Sequence, residues 1–316
     1  MKTTIKIIKY VLMAALAVVL ILIAYIWISP IPSYENKAPQ LSVTTDSAHV
    51  AEGARIASML CVSCHLSSDG KLGGARVLDA NEFGEIYAPN ITGHPEYGIV
   101  NYTDGELAYL IRTGIRKDGR YAPPYMPKLP HLSDDDMNSI IAFLRSDHPL
   151  VQPSENKSQE SKPNFLTKFL VRVAFHPFPY PEKAIDPPNT EDKIAFGKYI
   201  ALAKFECFSC HSENFKSNDY LQPEKSKGYF GGGNPFNQPD GSVIYAPNLT
   251  MDATGLGKWT EAQFIQAVKA GIRPDGKPTT RKPMIPYAAM TDEEASAVWA
   301  YLSSIPKINN DISKLK

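Results

Sequence analysis

The chain has four cysteines, and all of them fall in two copies of one pattern: Cys61-Val62-Ser63-Cys64-His65 and Cys207-Phe208-Ser209-Cys210-His211. C-x-x-C-H is the attachment signal for c-type haem. Two thiols on one helical turn reach the two vinyl groups of a porphyrin and form thioethers. The next residue then presents its imidazole to the iron as proximal ligand. Rival chemistries fit less well. A redox C-x-x-C pair needs a βαβ setting, and none is apparent. A zinc site needs four ligands, which only pooling both motifs could supply. A structural disulfide would not require the histidine twice. The expectation is therefore two covalently bound haem c groups, held by Cys61, Cys64, Cys207 and Cys210 and ligated by His65 and His211.

The other axial position can take Met or a second His, or stay open; Met raises the potential and suits electron transfer. Met126 lies seven residues before Ser133, and Met284 lies seven before Thr291, each in a proline-rich loop: Pro123-Pro124-Tyr125-Met126-Pro127 and Lys282-Pro283-Met284-Ile285-Pro286. Prolines stiffen such loops, so Met126 and Met284 are expected as the distal ligands. Met290 aligns with Leu132 and reads as a packing residue. Met59, Met137 and Met251, like His94, His131 and His176, have no counterpart in the other copy. Tyr87, Asn90, Tyr245 and Asn248 recur at matched places and could bind propionates or simply shape turns. Arg116 and Arg273 could pair with propionates or be solvated loop charges.

These residues need a scaffold, and the chain supplies it as a duplication. GARIASMLCVSCH at 53–65 returns as GKYIALAKFECFSCH at 197–211, YAPNIT at 87–92 as YAPNLT at 245–250, and GIRKDG at 114–119 as GIRPDG at 271–276. The spacing from Cys motif to YAPN is longer in the second copy, with a Gly-rich insertion around Gly231–Gly233. Thr103-x-x-Glu106, Thr260-x-x-Gln263 and Thr291-x-x-Glu294 are capping boxes, and Ser133-x-x-Asp136 is the same device with Asp for Glu. Gly114 and Gly271 mark helix ends. Each copy thus reads as a helix entering the Cys motif, a long loop, a second helix, a Pro-rich loop and a closing helix, with few strand signals.

Before the first copy, Lys2, Lys6 and Lys9 precede a run from Val11 to Ile28 without a charge. A helix needs about 20 apolar residues to span a bilayer, and lysines before the span place the N-terminus in the cytoplasm. The run exceeds the apolar core of a signal peptide, so an uncleaved anchor fits better than a cleaved leader. Between the copies, 152–162 reads as a polar linker. Phe165, Leu166, Phe169, Leu170 and Val173 give an apolar helical stripe, read as a helix packed between domains; a membrane-surface helix is the alternative. The segmentation is an anchor at 1–30, a tether at 31–49, haem domains at 50–148 and 191–308, a linker at 149–190 and a tail at 309–316.

Composition agrees with packed domains: 43% of the 316 residues are hydrophobic, and 33 basic residues balance 33 acidic ones. Whole-chain charge gives no sign of nucleic-acid binding. The two copies differ, with a net charge of −4 over 51–148 and +1 over 191–316, which would present different faces to redox partners.

With both motifs and both methionine loops placed, the chain resembles the class I cytochrome c fold twice over, a mainly α architecture behind a transmembrane helix. YAPN-[IL]-T, G-I-R-x-D-G and the methionine loops are similar to those of the cytochrome subunits of membrane-bound alcohol, aldehyde and gluconate dehydrogenases. The resemblance implies an electron carrier, not an enzyme, that passes electrons from a dehydrogenase to the respiratory chain at the extracytoplasmic side of the inner membrane. That family often carries three haem domains, and two are found here. A dihaem subunit of a terminal oxidase is the nearest alternative. A dihaem peroxidase would need one open haem, which two matched methionine loops argue against, and a gas sensor would need a signalling domain.

Overall fold

The computed structural model describes residues 2–238, 240–278 and 284–315. Its first element, α1 (Lys2–Ile28), contains no acidic residue and leaves its apolar side chains exposed. Among the described residues it is the one helix long and apolar enough to cross a membrane, with a mean hydropathy of 2.9 over Thr3–Ile28.

The first repeat follows. Asp46 caps α2 (Ser47–Leu60) by accepting from the Ala48 and His49 amides. The short α3 (Val62–His65) carries the Cys motif. Next come α4 (Asp104–Thr113), closed by a reciprocal Thr103/Glu106 box and by Gly114 at φ 84°, and α5 (Asp134–Arg145). Then α6 (Phe165–Val173) lies in the connection. The second repeat comprises α7 (Lys193–Tyr199), a π-helical turn (Ile200–Lys204), α8 (Cys207–His211), α9 (Glu261–Ala270) and α10 (Asp292–Ser304). The fold is mainly helical, as the sequence suggests. Among the described residues the sheet is limited to two antiparallel pairs: β1 (Gly84–Glu85) with β2 (Lys162–Pro163), and β3 (Pro235–Asn237) with β4 (Val243–Tyr245). The second pair leads into YAPN, where the first copy has a bridge between Arg76 and Tyr87.

In each repeat the first and last helices cross closely, α2 on α5 and α7 on α10. A Cβ at Gly53 would run into the Ser139 carbonyl, and one at Gly197 into the Ala297 carbonyl. Glycine at these points lets the two backbones touch. Each domain has its own apolar core, one around Ile56, Leu107, Ile141 and Phe143, the other around Ile200, Phe230, Phe264 and Leu302. Leu60 and Tyr199 pack against both cores, and Met59 of the first repeat belongs to the second core. The domains therefore meet beside the two Cys motifs.

Two expectations need correction. First, α6 does not pack between the domains. Its Asn164 and Thr167 bond the Phe83 carbonyl, Lys168 donates to the Trp27 carbonyl, and Phe165 stacks on Trp27. It thus joins the 78–85 turn to the end of α1. The segment behind it reaches the second domain, where Phe178 lies 5.9 Å from Tyr220. Second, the Ser133 cap is one-sided. Ser133 accepts from the Asp136 amide, but the Asp136 carboxylate points to the other domain. Asp is one methylene shorter than Glu, and Tyr199 takes over the Ser133 amide at 3.0 Å.

Candidate functional site

Both Cys motifs sit on single helical turns that follow the first helix of their repeat, so residue types four apart share a face. In the first, His65 is 8% exposed and its Nδ1 lies 2.8 Å from the Pro89 carbonyl oxygen. In the second, His211 is equally buried, with Nδ1 3.1 Å from the Pro247 carbonyl oxygen. A carbonyl only accepts, so Nδ1 carries the proton and donates, and Nε2 keeps its lone pair. This is how proteins fix the tautomer and ring orientation of a metal-binding histidine. Burial depresses both imidazole pKa values against the opposing pull of the proline carbonyls, so the rings are neutral and able to ligate. Pro89 and Pro247 are the prolines of the two YAPN motifs. The sequence showed their recurrence but not this role.

None of the four cysteines forms a disulfide. Burial, with a smaller contribution from the neighbouring sulfur, pushes Cys61 and Cys207 up to about 12, and burial pushes Cys210 up to about 11. Cys61, Cys207 and Cys210 therefore stand as thiols in apolar surroundings. Among the described residues no three His, Cys, Asp or Glu side chains converge as a metal ion would require. That argues against pooled zinc ligation. A thiol pair one turn apart, followed by an oriented neutral imidazole, fits covalent haem c.

The methionines divide by burial. Met59, Met137 and Met290 lie inside apolar cores at 5%, 2% and 3% exposure, as packing residues do. Met126 and Met284 are half-buried in loops. Those loops hang from matched points: the Leu129 amide bonds the Ile111 carbonyl of α4 at 2.8 Å, and the Tyr287 amide bonds Val268 of α9 at 2.9 Å. Tyr287, three residues after Met284, meets Phe205 edge-on at 5.1 Å and lies within electrostatic range of Cys207 and Cys210. Lys282 and Pro283 of this loop lie outside the described residues.

Asn90 and Asn248 hold their loops. Each is 2% exposed. Asn90 accepts from the amide and hydroxyl of Thr92 and donates to the Ser154 and Asn156 carbonyls. Asn248 repeats this with Thr250, Thr254 and the Ile308 carbonyl. The two arginines differ. Arg273 is exposed beside Asp275 at 3.4 Å, a solvated loop charge. Arg116 is half-buried and close to both His65 and Tyr125: burial lowers the His65 imidazole with a small addition from Arg116, and burial raises the Tyr125 hydroxyl against the opposing pull of Arg116. Of the unmatched histidines, His94 accepts from the Glu96 and Tyr97 amides through Nδ1, and His131 donates from Nε2 to the Tyr220 carbonyl. The sequence reading missed two titratable groups near the second motif, the buried Lys128 and the half-buried Glu206. Burial pushes Lys128 down to about 7 and Glu206 up to about 8.

Comparison with known proteins agrees with this geometry. The cytochrome c family profile matches residues 50–147 and 194–306, one segment for each Cys motif. The cytochrome c subunit of a quinone-dependent alcohol dehydrogenase from Gluconacetobacter polyoxogenes is 30% identical over 276 residues, covering 83% of this chain and 57% of the relative. The fructose dehydrogenase cytochrome subunit of Gluconobacter japonicus is 27% identical over 78% of this chain and 50% of its own length. A dihaem cytochrome of c type from Cereibacter sphaeroides is 24% identical over 78% and 82%. The chain thus spans little more than half the length of the dehydrogenase subunits. With the family matched over both repeats and both histidines held in one orientation, the chain belongs to the cytochrome c family, whose members bind haem c covalently.

Proposed function

We propose that the chain is a membrane-anchored dihaem cytochrome c that takes electrons from a dehydrogenase and delivers them to the respiratory chain. The observation that carries this reading is the twin Cys motif, each with its own proline-oriented, buried histidine in its own helical domain, taken as 50–148 and 191–308. Cys61 and Cys64 would hold one haem and Cys207 and Cys210 the other. His65 with Met126, and His211 with Met284, would fill the axial positions. When bound, haem supplies a one-electron iron couple. The protein's part is to fix each histidine, close each distal face with a methionine loop and keep water from the pocket. Filled axial positions leave no place for substrate. The matched anchoring of the methionine loops supports this ligand set. The dehydrogenase subunits among the relatives support the donor class, and the apolar length of α1 supports the anchor and an extracytoplasmic site for the haem domains.

An optical redox titration of the purified holoprotein, with haem-to-protein ratio and carbon monoxide exposure, tests the reading. Two haems per chain, low-spin in both oxidation states and inert to carbon monoxide, are expected. One haem per chain, or a site that binds carbon monoxide, would overturn the closed dihaem carrier.

A further inference from the structure

The domain interface contains a charge network that the carrier reading does not use. From the first repeat come Glu52 and Arg55 of α2 and Asp136 of α5. From the second come Tyr199 of α7, Lys204 of the π-helical turn and Glu294 of α10. Arg55 makes a two-pronged pair with Glu294 at 2.6 and 2.8 Å. It also pairs with Glu52 at 2.7 Å and donates to the Ala289 carbonyl at 3.0 Å. Lys204 reaches Glu52 at 2.9 Å, Asp136 at 3.1 Å and Glu294 at 3.4 Å. The Tyr199 hydroxyl donates to Asp136 and also bonds Ser133. Lys204, Asp136 and Glu294 are all below a tenth exposed.

The arrangement is reciprocal. Arg55 and Tyr199 occupy the same place in the two repeats, two residues after Gly53 and Gly197. Asp136 and Glu294 also match, as the third residue after the caps Ser133 and Thr291. Each domain's first helix therefore grips the start of the other domain's closing helix, as two halves related by a pseudo-twofold axis would. Lys204 has no counterpart. Cys207 lies ten positions after Gly197, where Cys61 lies eight after Gly53. The extra length is taken up in part by the π-helical turn, which ends at Lys204. Such insertions within helices are frequent at functional positions.

We propose that this clasp is a positioning device that holds the two Cys motifs, and hence the two haem sites, in one fixed relation for electron exchange between them. Three facts favour positioning over bulk stabilisation. The grips sit on the elements that lead directly into Cys61 and Cys207. Buried ion pairs contribute little net stability over apolar substitutes, and fixing a unique arrangement is their better-attested use. Glu52 is held charged: burial would raise its carboxyl, but Arg55 and Lys204 bring it down to about 2. An apolar contact through Met59, Leu60 and Tyr199 would hold the domains together, but it is non-directional. The clasp adds direction.

The inference rests on the reading of one haem per domain, and the experiment separates the two. Full-length, detergent-solubilised holoprotein is first assayed for haem-to-protein ratio; one haem per chain would overturn that underlying reading. Spin labels are then placed through Val100→Cys and Ser303→Cys, both exposed positions in different domains, the native cysteines being taken up by haem. Pulsed EPR distances and the rate of inter-haem electron exchange are compared in the unmodified clasp, Lys204→Met and Tyr199→Phe. The second variant removes only a hydroxyl and leaves the ring in both cores, so it tests the proposal even if Lys204→Met fails to fold. A single narrow distance is expected with the clasp intact. The variants should give a broadened distribution and slowed exchange, because electron transfer between two centres falls as they move apart, with both haem spectra unchanged. An unchanged narrow distance and unchanged exchange in Tyr199→Phe would overturn the proposal.

Discussion

At the scale of single residues, the two buried histidines are oriented by backbone rather than by side chains. The carbonyls of Pro89 and Pro247 take the Nδ1 protons, so the loop that carries YAPN sets ligand orientation. The buried asparagine after each proline keeps that loop in place. Asn90→Ala would leave the Thr92 donors and two carbonyls unpaired. A loss of about 1–3 kcal/mol is expected, read as a lower denaturation midpoint with the haem spectrum intact; an unchanged midpoint would count against this role. On the opposite side of the iron, Met126→Ala should open one haem and Met284→Ala the other. Each variant should bind carbon monoxide at one site. The potential there should fall by a sizeable part of the about 0.8 V that axial ligands span. A variant whose spectrum and potential do not move would remove that methionine from the ligand set.

At the scale of elements, the crossing of first and last helix determines whether a repeat can form. Gly53→Ala would force α2 away from the Ser139 carbonyl, and Gly197→Ala would force α7 from Ala297. Overpacking of this kind costs about 1–3 kcal/mol, occasionally more. Thermal melts of the holoprotein should show the loss in each variant, and a wild-type melt would mean the helices can part without penalty. The helix ends were legible in sequence because caps are local chemistry. Three of four boxes close as the spacing suggests, at Thr103, Thr260 and Thr291. The fourth was misread because Asp136 is recruited by Tyr199 and Lys204, which are more than sixty residues away. The same limit applies to α6, whose apolar stripe announced a helix but not the surface it packs on.

At the scale of the whole molecule, the domains are joined by charges whose effect depends on pH. Glu52 has its carboxyl lowered from an ordinary 4.5 to about 2 by Arg55 and Lys204 against the opposing effect of burial. A lowered carboxyl contributes its full stability above the unfolded value and loses it as pH falls toward the folded one. The contact between domains should therefore be intact above about pH 5 and loosen between roughly pH 4.5 and 2. Denaturation followed at both haems should show one shared transition at pH 6 and two separate ones near pH 3. Glu52→Gln should weaken the contact already at pH 6. Two separate transitions at pH 6 in the unaltered protein would show that the clasp does not couple the domains. The anchor is tested separately: after alkaline carbonate washing the chain should stay with the membrane and begin at its own N-terminus, whereas a chain in the wash lacking α1 would mean a cleaved leader.

Much of this protein is written in short stretches of sequence. Covalent haem attachment needs two thiols and an imidazole on one turn, so the proposal of haem sites at Cys61 to His65 and Cys207 to His211 needs no reference to the rest of the chain. Helix caps, the apolar length of α1 and the duplication are local or periodic signals of the same kind. Folding in three dimensions decided what depends on distant partners: which carbonyl orients each histidine, that Met59, Met137 and Met290 serve packing, that α6 meets α1, and that Arg55, Tyr199, Asp136 and Glu294 answer one another across the interface. A side chain's partner is chosen by the geometry of elements brought together from far along the chain, and no local pattern records that meeting.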